Sequence, residues 1–329
     1  MQLVDLQTIE ELAYQALVAS GASTSNAQYL AVATRVTEAQ GISSHGLAYI
    51  PIYCEHVLCG KVDGKAEPKL STIRPSAFRV EACHGFAHPA ISIGFEALIP
   101  AAKKYGIAIL NVATSYNCGV LGVHTGALSD HGLIGLGMTN APASIAPSGG
   151  SVPVVGTNPW SLSVPGDSGF LIDQSASVIA KSEIMRAKRE SRTIPESWAL
   201  DPEGKPTTNP EIALTGSMAP SGGYKGVNQA LMVELFAAIL SGANLGLQAS
   251  PFSGTAGGPP GTGQCFIAID AGIGAVFADK LAVLCDAITQ QNARLPGLNR
   301  KTKMVKAEVS GVLVDPDLLA RVRAIARDN

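Results

Sequence analysis

The stretch QCFIAIDAGIGAVFADKLAVLCDAITQ, residues 264–290, decides the fold class. Its first seven residues, Gln264 to Asp270, are a short apolar run with polar ends and read as a strand. Residues 278–290 carry an amphipathic helical pattern. Between them, Gly272, Ile273, Gly274 and Phe277 nearly spell the G-x-G-x-x-G fingerprint, whose glycines let backbone approach a pyrophosphate at a helix N-terminus. The third glycine is Phe277, the helix starts late, and no strand–helix–strand unit surrounds the motif. The junction therefore reads as a tight strand-to-helix turn. The sequence also lacks GxxxxGK[ST], so no P-loop is expected.

Working outward, FRVE, IAILNVA, GLIGLGMT, SLSVP and FLID read as further short strands, several bounded by Gly or Pro. Helices are expected near 91–106, 177–190, 227–242 and in the tail DPDLLARVRAIAR. Upstream of residue 78 the texture is helical. Thr8 with Glu11, and Ser25 with Gln28, have the spacing of capping boxes before amphipathic runs. Gly41 ends the second helix. Residues 60–76 are rich in Gly, Pro and Lys and read as a linker or excursion. The result is an α/β protein with many strands, a separate-looking N-terminal helical segment and no internal repeat.

The chain has 329 residues, enough for about two domains. Hydrophobic residues make up 46% and charged residues only 15%, with a net charge of −2. That composition excludes intrinsic disorder. The pI of about 6.3, with no basic cluster, argues against a nucleic-acid partner. Mean hydropathy is +0.22, yet no run of about 18 uncharged apolar residues is present, so no membrane span is expected. The apolar excess calls for burial, and a subunit interface would supply it. The N-terminus carries Asp5, Glu10 and Glu11 and no basic region, unlike a signal peptide. Six scattered cysteines do not make a disulfide framework, and a reducing, cytoplasmic setting is expected.

Three polar clusters could carry chemistry. Ser43-Ser44-His45-Gly46 places an imidazole beside a hydroxyl in a turn, and a histidine titrates where a general acid must. Gly156-Thr157-Asn158-Pro159-Trp160 is a polar kink entering a strand. Ser221 to Gly226, SGGYKG, is a glycine-rich turn opening a helix, suited to phosphate, with Lys225 adding charge. Each is equally well an ordinary turn. Cys83, His84 and His88 lie close in sequence, but Gly85 and Pro89 argue against a helical ligand pair, and buried thiols and hydrogen-bonded histidines are the favoured reading. No GxSxG elbow exists, and nothing in the sequence around Cys118 indicates an activated thiol.

Taken together, the clusters resemble the malate/L-lactate dehydrogenase-type oxidoreductases, which use NAD(P)H without a Rossmann fold. The resemblance rests on SSHG at 43–46 with Tyr53 and Gly60 downstream, GLIGLGMTNAPASIAPSGG at 132–150, GTNPWSLSVP at 156–165 and the strand end at Asp173. It continues through 194–208, SGGYKG at 221–226 and RLPGLNR at 294–300, in order over almost the whole chain. Within that family, VDGKAEP at 62–68 and FRVEACHGFAHPA at 78–90 look most like the reductases of Δ1-piperideine-2-carboxylate and Δ1-pyrroline-2-carboxylate.

The resemblance implies a cofactor domain with a largely antiparallel sheet over 76–289. It also implies a helical domain built from 1–75 and 290–329, and a homodimer acting on a small molecule. Ser44 and His45 match a Ser-His pair, with His45 the proton donor and Glu183 at the place of the third, acidic member. Tyr49, Tyr53 and Thr157 fall at substrate positions. Asn117, Cys118, Gly119, Val120, Leu121, Ser175, Ala176, Ser177, Tyr224, Lys225, Arg294 and Arg300 match cofactor-binding segments for NADPH, or else NADH. No metal is implied. Three positions depart from the pattern. Tyr49 stands where relatives usually carry Arg, Asn117 where they usually carry His, and Glu183 replaces Asp. The implied activity is reduction of a cyclic imino acid to proline or pipecolate. The alternatives are a 2-hydroxy-acid dehydrogenase of malate, lactate or ureidoglycolate type, and a catalytically inactive ligand-binding homologue.

Overall fold

A computed structural model describes residues 1–274 and 276–327. The chain begins with strand β1 (Gln2–Val4), helices α1 (Leu6–Ala19), α2 (Thr24–Ala39) and α3 (Ile50–Leu58), then strands β2 (Lys69–Arg74) and β3 (Ala77–Glu81). There follow α4 (Ala87–Tyr105), β4 (Ile107–Ser115), α5 (Leu121–Asp130), β5 (Leu133–Thr139), β6 (Trp160–Ser163), β7 (Leu171–Gln174) and α6 (Lys181–Arg189). Next come β8 (Ala199–Leu200), α7 (Pro210–Thr215), β9 (Ser217–Met218), α8 (Tyr224–Glu234), β10 (Thr262–Asp270), α9 (Phe277–Thr289), α10 (Leu298–Ser310), β11 (Val312–Val314) and α11 (Pro316–Arg327).

The strand at 264–270 is the centre of the sheet. β10 lies between β4 and β5 in the order β2-β3-β4-β10-β5-β6-β7, and pairs antiparallel with both. Only β3 and β4 run parallel, joined through α4. The sheet is therefore mostly antiparallel, and among the described residues β3–α4–β4 is its one strand–helix–strand crossover. Both of its faces are covered, so β10 is apolar on both sides. Phe266 and Ala268 pack with α4 and α5 residues such as Ile91, Leu98 and Leu128, while Cys265 and Ile267 pack with Val233, Phe236 and Ala237.

A second core joins the two ends of the chain. Ile9, Ala13 and Leu17 of α1, Leu30 of α2, Ile50 and Tyr53 of α3, and Leu319 and Val322 of α11 share one cluster with Phe86 and Tyr116. β1 pairs antiparallel with β11, and Ala307 of α10 packs on Leu6 and Ala39. A third cluster unites Ile145, Val155, Ile184 and Met218 around the β8–β9 ribbon.

Helix starts differ from expectation by a few residues. Asp5, not Thr8, caps α1 by accepting the Thr8 N–H at 2.8 Å, and Ser23 caps α2 by accepting that of Asn26. Both are local carboxylate or hydroxyl caps that the box spacing misplaces. α6 begins at Lys181 rather than 177, because Ser177 and Val178 stay extended: Ser177 bridges Pro220 and the Val178 N–H donates to Ala219 O. The 60–76 excursion contains the exposed edge strand β2. The Gly272–Gly274 junction is a short 3-10 turn, with Asp270 accepting the Gly272 N–H.

Candidate active site

The Ser44–His45 turn is held from behind. α2 ends at Ala39, Gly41 follows with a φ of +72° that favours glycine, and two 3-10 turns, Ser43–His45 and Leu47–Tyr49, lead into α3. Buried Glu38 accepts the Leu47 N–H at 2.7 Å, satisfying a helix-start donor and favoured there by the helix dipole. A Cβ on Gly46 would stand 2.4 Å from Glu38 Oε1 and force that carboxylate to shift. Burial raises the Glu38 carboxyl above its ordinary range, opposed by the Leu47 hydrogen bond.

His45 Nδ1 lies 3.0 Å from Ser44 Oγ. Its ring stacks parallel to Tyr49, with centroids 6.0 Å apart, and Tyr49 meets Tyr53 edge-on at 4.8 Å. Tyr53 donates to Asn117 Oδ1 at 2.9 Å, and the Gly119 N–H shares that acceptor at 3.2 Å. Asn117 Nδ2 lies 3.4 Å from the Tyr49 hydroxyl. The residues expected at substrate positions 49 and 53 and those at 117–119 thus form one wall beside His45. Burial raises both phenols, Tyr49 to about 12, so they remain neutral.

The carboxylate whose charge acts on His45 is that of Asp173. Burial pulls the His45 pKa below its ordinary value and the Asp173 charge pulls it back up. Asp173, at the end of β7, accepts from Arg300 Nη1 at 2.7 Å and from the Gly122 N–H at 3.2 Å. Gly122 must lack a side chain, because a Cβ would lie 2.7 Å from Asp173 Oδ2. Glu183 sits instead on α6, paired with Arg186 three residues on, and its charge does not figure at His45. Arg300 is committed to this ion pair, and Arg294 is exposed.

The remaining expected cofactor residues fall into two groups. Val120 and Leu121 start α5. Cys118 is 2% exposed, burial pushes its thiol to about 12, and its carbonyl accepts from His124 Nε2 at 2.8 Å. Elsewhere, the Ala176 N–H donates to Thr157 O and the Ser221 N–H to Ala176 O, both at 2.8 Å, stitching 157, 175–177 and 221–225 together. Ser175 Oγ and Ser177 Oγ are 3.0 Å apart. Gly223 and Tyr224 line a cleft of about 520 Å³ with Ser148 to Ser151, Glu203 and Val227. Tyr224 is 61% exposed, and a Cβ on Gly223 would meet nothing within 4 Å.

Sequence reasoning passed over Glu38 and assigned no role to Asp173. Asn158 also matters: with φ +37° it donates to Glu234 Oε2 at 2.7 Å and to Ala230 O, which sets the backbone at Thr157. The polar kink in GTNPW was the available signal. His88, expected as a hydrogen-bonded histidine rather than a metal ligand, instead has a buried Nδ1 with no hydrogen-bond partner. It lines a water-sized cavity of about 10 Å³ with His45, Tyr53, Thr37 and Gly119, whose lining holds no Lys or Arg. Among the described residues, no group of three or more His, Cys, Asp or Glu is placed to hold a metal ion, and no helix is long and apolar enough to cross a membrane.

Comparison with known proteins gives a consistent picture. Residues 4–323 match the family described as malate/L-lactate dehydrogenase. A (2R)-3-sulfolactate dehydrogenase (NADP(+)) of Chromohalobacter salexigens is 39% identical over 303 residues, 91% of each chain. A Δ1-pyrroline-2-carboxylate reductase of Ancylobacter novellus is 36% identical over 335 residues, covering 98% of this chain and 97% of that one. The crystal structure of Δ1-piperideine-2-carboxylate reductase from Pseudomonas syringae superposes with a TM-score of 0.93 at 31% identity, over 99% of this chain and all of the other.

Proposed function

Because the chain belongs to the malate/L-lactate dehydrogenase family, and is thereby an NAD(P)-dependent oxidoreductase, we propose that it reduces a cyclic imino acid with NADPH. The substrate is Δ1-pyrroline-2-carboxylate, Δ1-piperideine-2-carboxylate or both, and the product proline or pipecolate. The observation that carries this choice is the wall beside His45. Tyr49 and Tyr53 present aromatic surface, and the adjoining cavity lining lacks Lys and Arg. An apolar ring bearing one carboxylate suits such a wall. Oxaloacetate and sulfopyruvate carry two anionic groups and call for a second counter-charge.

The residues present fit a nicotinamide dinucleotide. The 117–121 turn borders His45, and the cleft at Gly223 and Tyr224 offers open space, an exposed aromatic face and a helix N-terminus. Asn117 to Leu121, Ser175 to Ser177, Tyr224 and Lys225 would hold it, and when bound it supplies hydride. The chain's own part is positioning and proton delivery. Tyr49 and Tyr53 orient the ring and exclude water. His45 donates a proton to the imine nitrogen, Ser44 fixes the imidazole, and Asp173 supports its protonated form.

The 39% identity to a sulfolactate dehydrogenase favours a second reading, oxidation of a 2-hydroxy acid with NADP+. One assay separates the two. Loss of reduced-nicotinamide absorbance is followed with NADPH and NADH against both cyclic imines, pyruvate, oxaloacetate and 3-sulfopyruvate. Turnover of the imines with preference for NADPH is the expected result. Turnover confined to the oxo acids overturns the imine reading.

A further inference from the structure

His88 is a buried polar side chain that the scheme above does not use. It lies at the start of α4 and is 7% exposed. Its ring meets Tyr53 edge-on, with centroids 6.4 Å apart, and lies 5.4 Å from that of His124. Its Nδ1 is buried with no hydrogen-bond partner. An orphaned atom of this kind demands an account, since each ordinarily costs free energy. The other nitrogen, Nε2, faces Gly119: a Cβ placed on that glycine would stand 3.2 Å from Nε2 and 3.8 Å from the Tyr53 hydroxyl. Gly119, with φ +66°, keeps that space open. The space adjoins the small cavity that His45 also lines.

The donors around this point are mostly committed. Tyr53 gives its proton to Asn117, and His124 Nε2 donates to Cys118 O. A neutral imidazole has one N–H to place. Nδ1 finds no acceptor, so the proton is assigned to Nε2, where an incoming group can meet it.

Resting on the proposed function, we propose that His88 is a specificity-determining residue whose Nε2–H donates to the substrate's carboxylate at the space kept open by Gly119. The interaction is a neutral donor to an anion. It takes the place of a guanidinium at a wall whose cavity lining holds none. Burial and the neighbouring His124 lower the His88 pKa to about 3, so the imidazole stays an uncharged donor at working pH.

The test is equilibrium binding in the presence of saturating NADP+, so that it does not depend on turnover. Titrations use L-proline, L-pipecolate and L-lactate, with L-prolinamide as the probe lacking a carboxylate. The variants are His88→Leu, which removes the donor, and His88→Gln, which restores one at similar size. For the acid the wild type binds, His88→Leu is expected to weaken affinity about 10- to 100-fold, the range for a hydrogen bond to a charged group. His88→Gln recovers most of that loss, while NADP+ affinity and the weak binding of L-prolinamide move less than about 3-fold. Unchanged acid affinity in His88→Leu, or an equal loss for NADP+, overturns the role of His88 alone. A wild type that binds NADP+ and none of the three acids overturns the functional reading beneath it. A melting curve for each variant, matched to the wild type within a few degrees, shows that a loss is not misfolding; His88→Gln carries the test if His88→Leu fails that check.

Discussion

The buried His88 imidazole makes the stability of this protein depend on pH in a way that one substitution should remove. In the folded chain its pKa lies at about 3, against 6.5 for the unfolded side chain. Between those values the unfolded state binds a proton that the folded state refuses. The contribution is therefore complete above pH 6.5 and is lost progressively as pH falls toward 3. At about 1.36 kcal/mol per pKa unit, the fall from neutral pH to pH 5 withdraws roughly 2 kcal/mol, and the full drop would approach about 5 kcal/mol. Urea titrations at pH 7.5 and 5.0 give the unfolding free energy of wild type and His88→Gln. Other histidines depressed by burial, His45, His56 and His124, titrate in both proteins and largely cancel. The wild type should lose about 2 kcal/mol more than the variant across that interval. Equal losses, within about 0.5 kcal/mol, would mean that His88 is hydrated or partnered in solution, contrary to its burial here.

Two further outcomes follow from the geometry. Asp173→Asn keeps an acceptor for Arg300 and Gly122 but removes the charge that supports protonated His45. The imidazole pKa should fall further, so the decline of reductive kcat with rising pH moves to lower pH, and a pH–rate profile identical to wild type would count against the pairing. Lys61 is 1% exposed and donates to Pro251 O, Gly254 O and Ala256 O, while His56 Nε2 bonds the same Gly254 carbonyl; together they pin the 250–258 loop to the end of α3. Lys61→Met leaves those carbonyls unpaired and should cost about 2–4 kcal/mol in urea unfolding; a change under about 0.5 kcal/mol would show that water replaces the ammonium freely.

Much of this architecture was legible from period and punctuation. The strands at 107–115, 133–139 and 262–270 and the helices ending at Gly41 and Gly106 announce themselves through alternation, apolar stripes and glycine stops. The ladder β1–β11 did not, because three-residue strands carry no period and their partner is some 310 positions away in sequence. α10, LNRKTKMVKAEVS, hides because its solvent-facing side dominates and only Ala307 is buried. The site was legible as a set of segments, not as contacts. Ser44, His45, Tyr49, Tyr53 and Asn117 do come together. The charge of Asp173 at His45 was not readable. Asp173 is held by β7 ending beside α5 and by Arg300 arriving from α10, contacts that no local pattern encodes. Glu38 and His88 are placed by contacts to Leu47 and Gly119 that no local pattern encodes.

The proposed chemistry turns on His45 delivering the proton in an NAD(P)H-dependent reduction. The most direct measurement is steady-state kinetics of His45→Ala on the best imine substrate, alongside NADPH affinity by fluorescence titration. Removing a general acid should lower kcat by roughly 10²–10⁴-fold, with NADPH binding retained. A kcat within a few-fold of wild type would contradict the assignment.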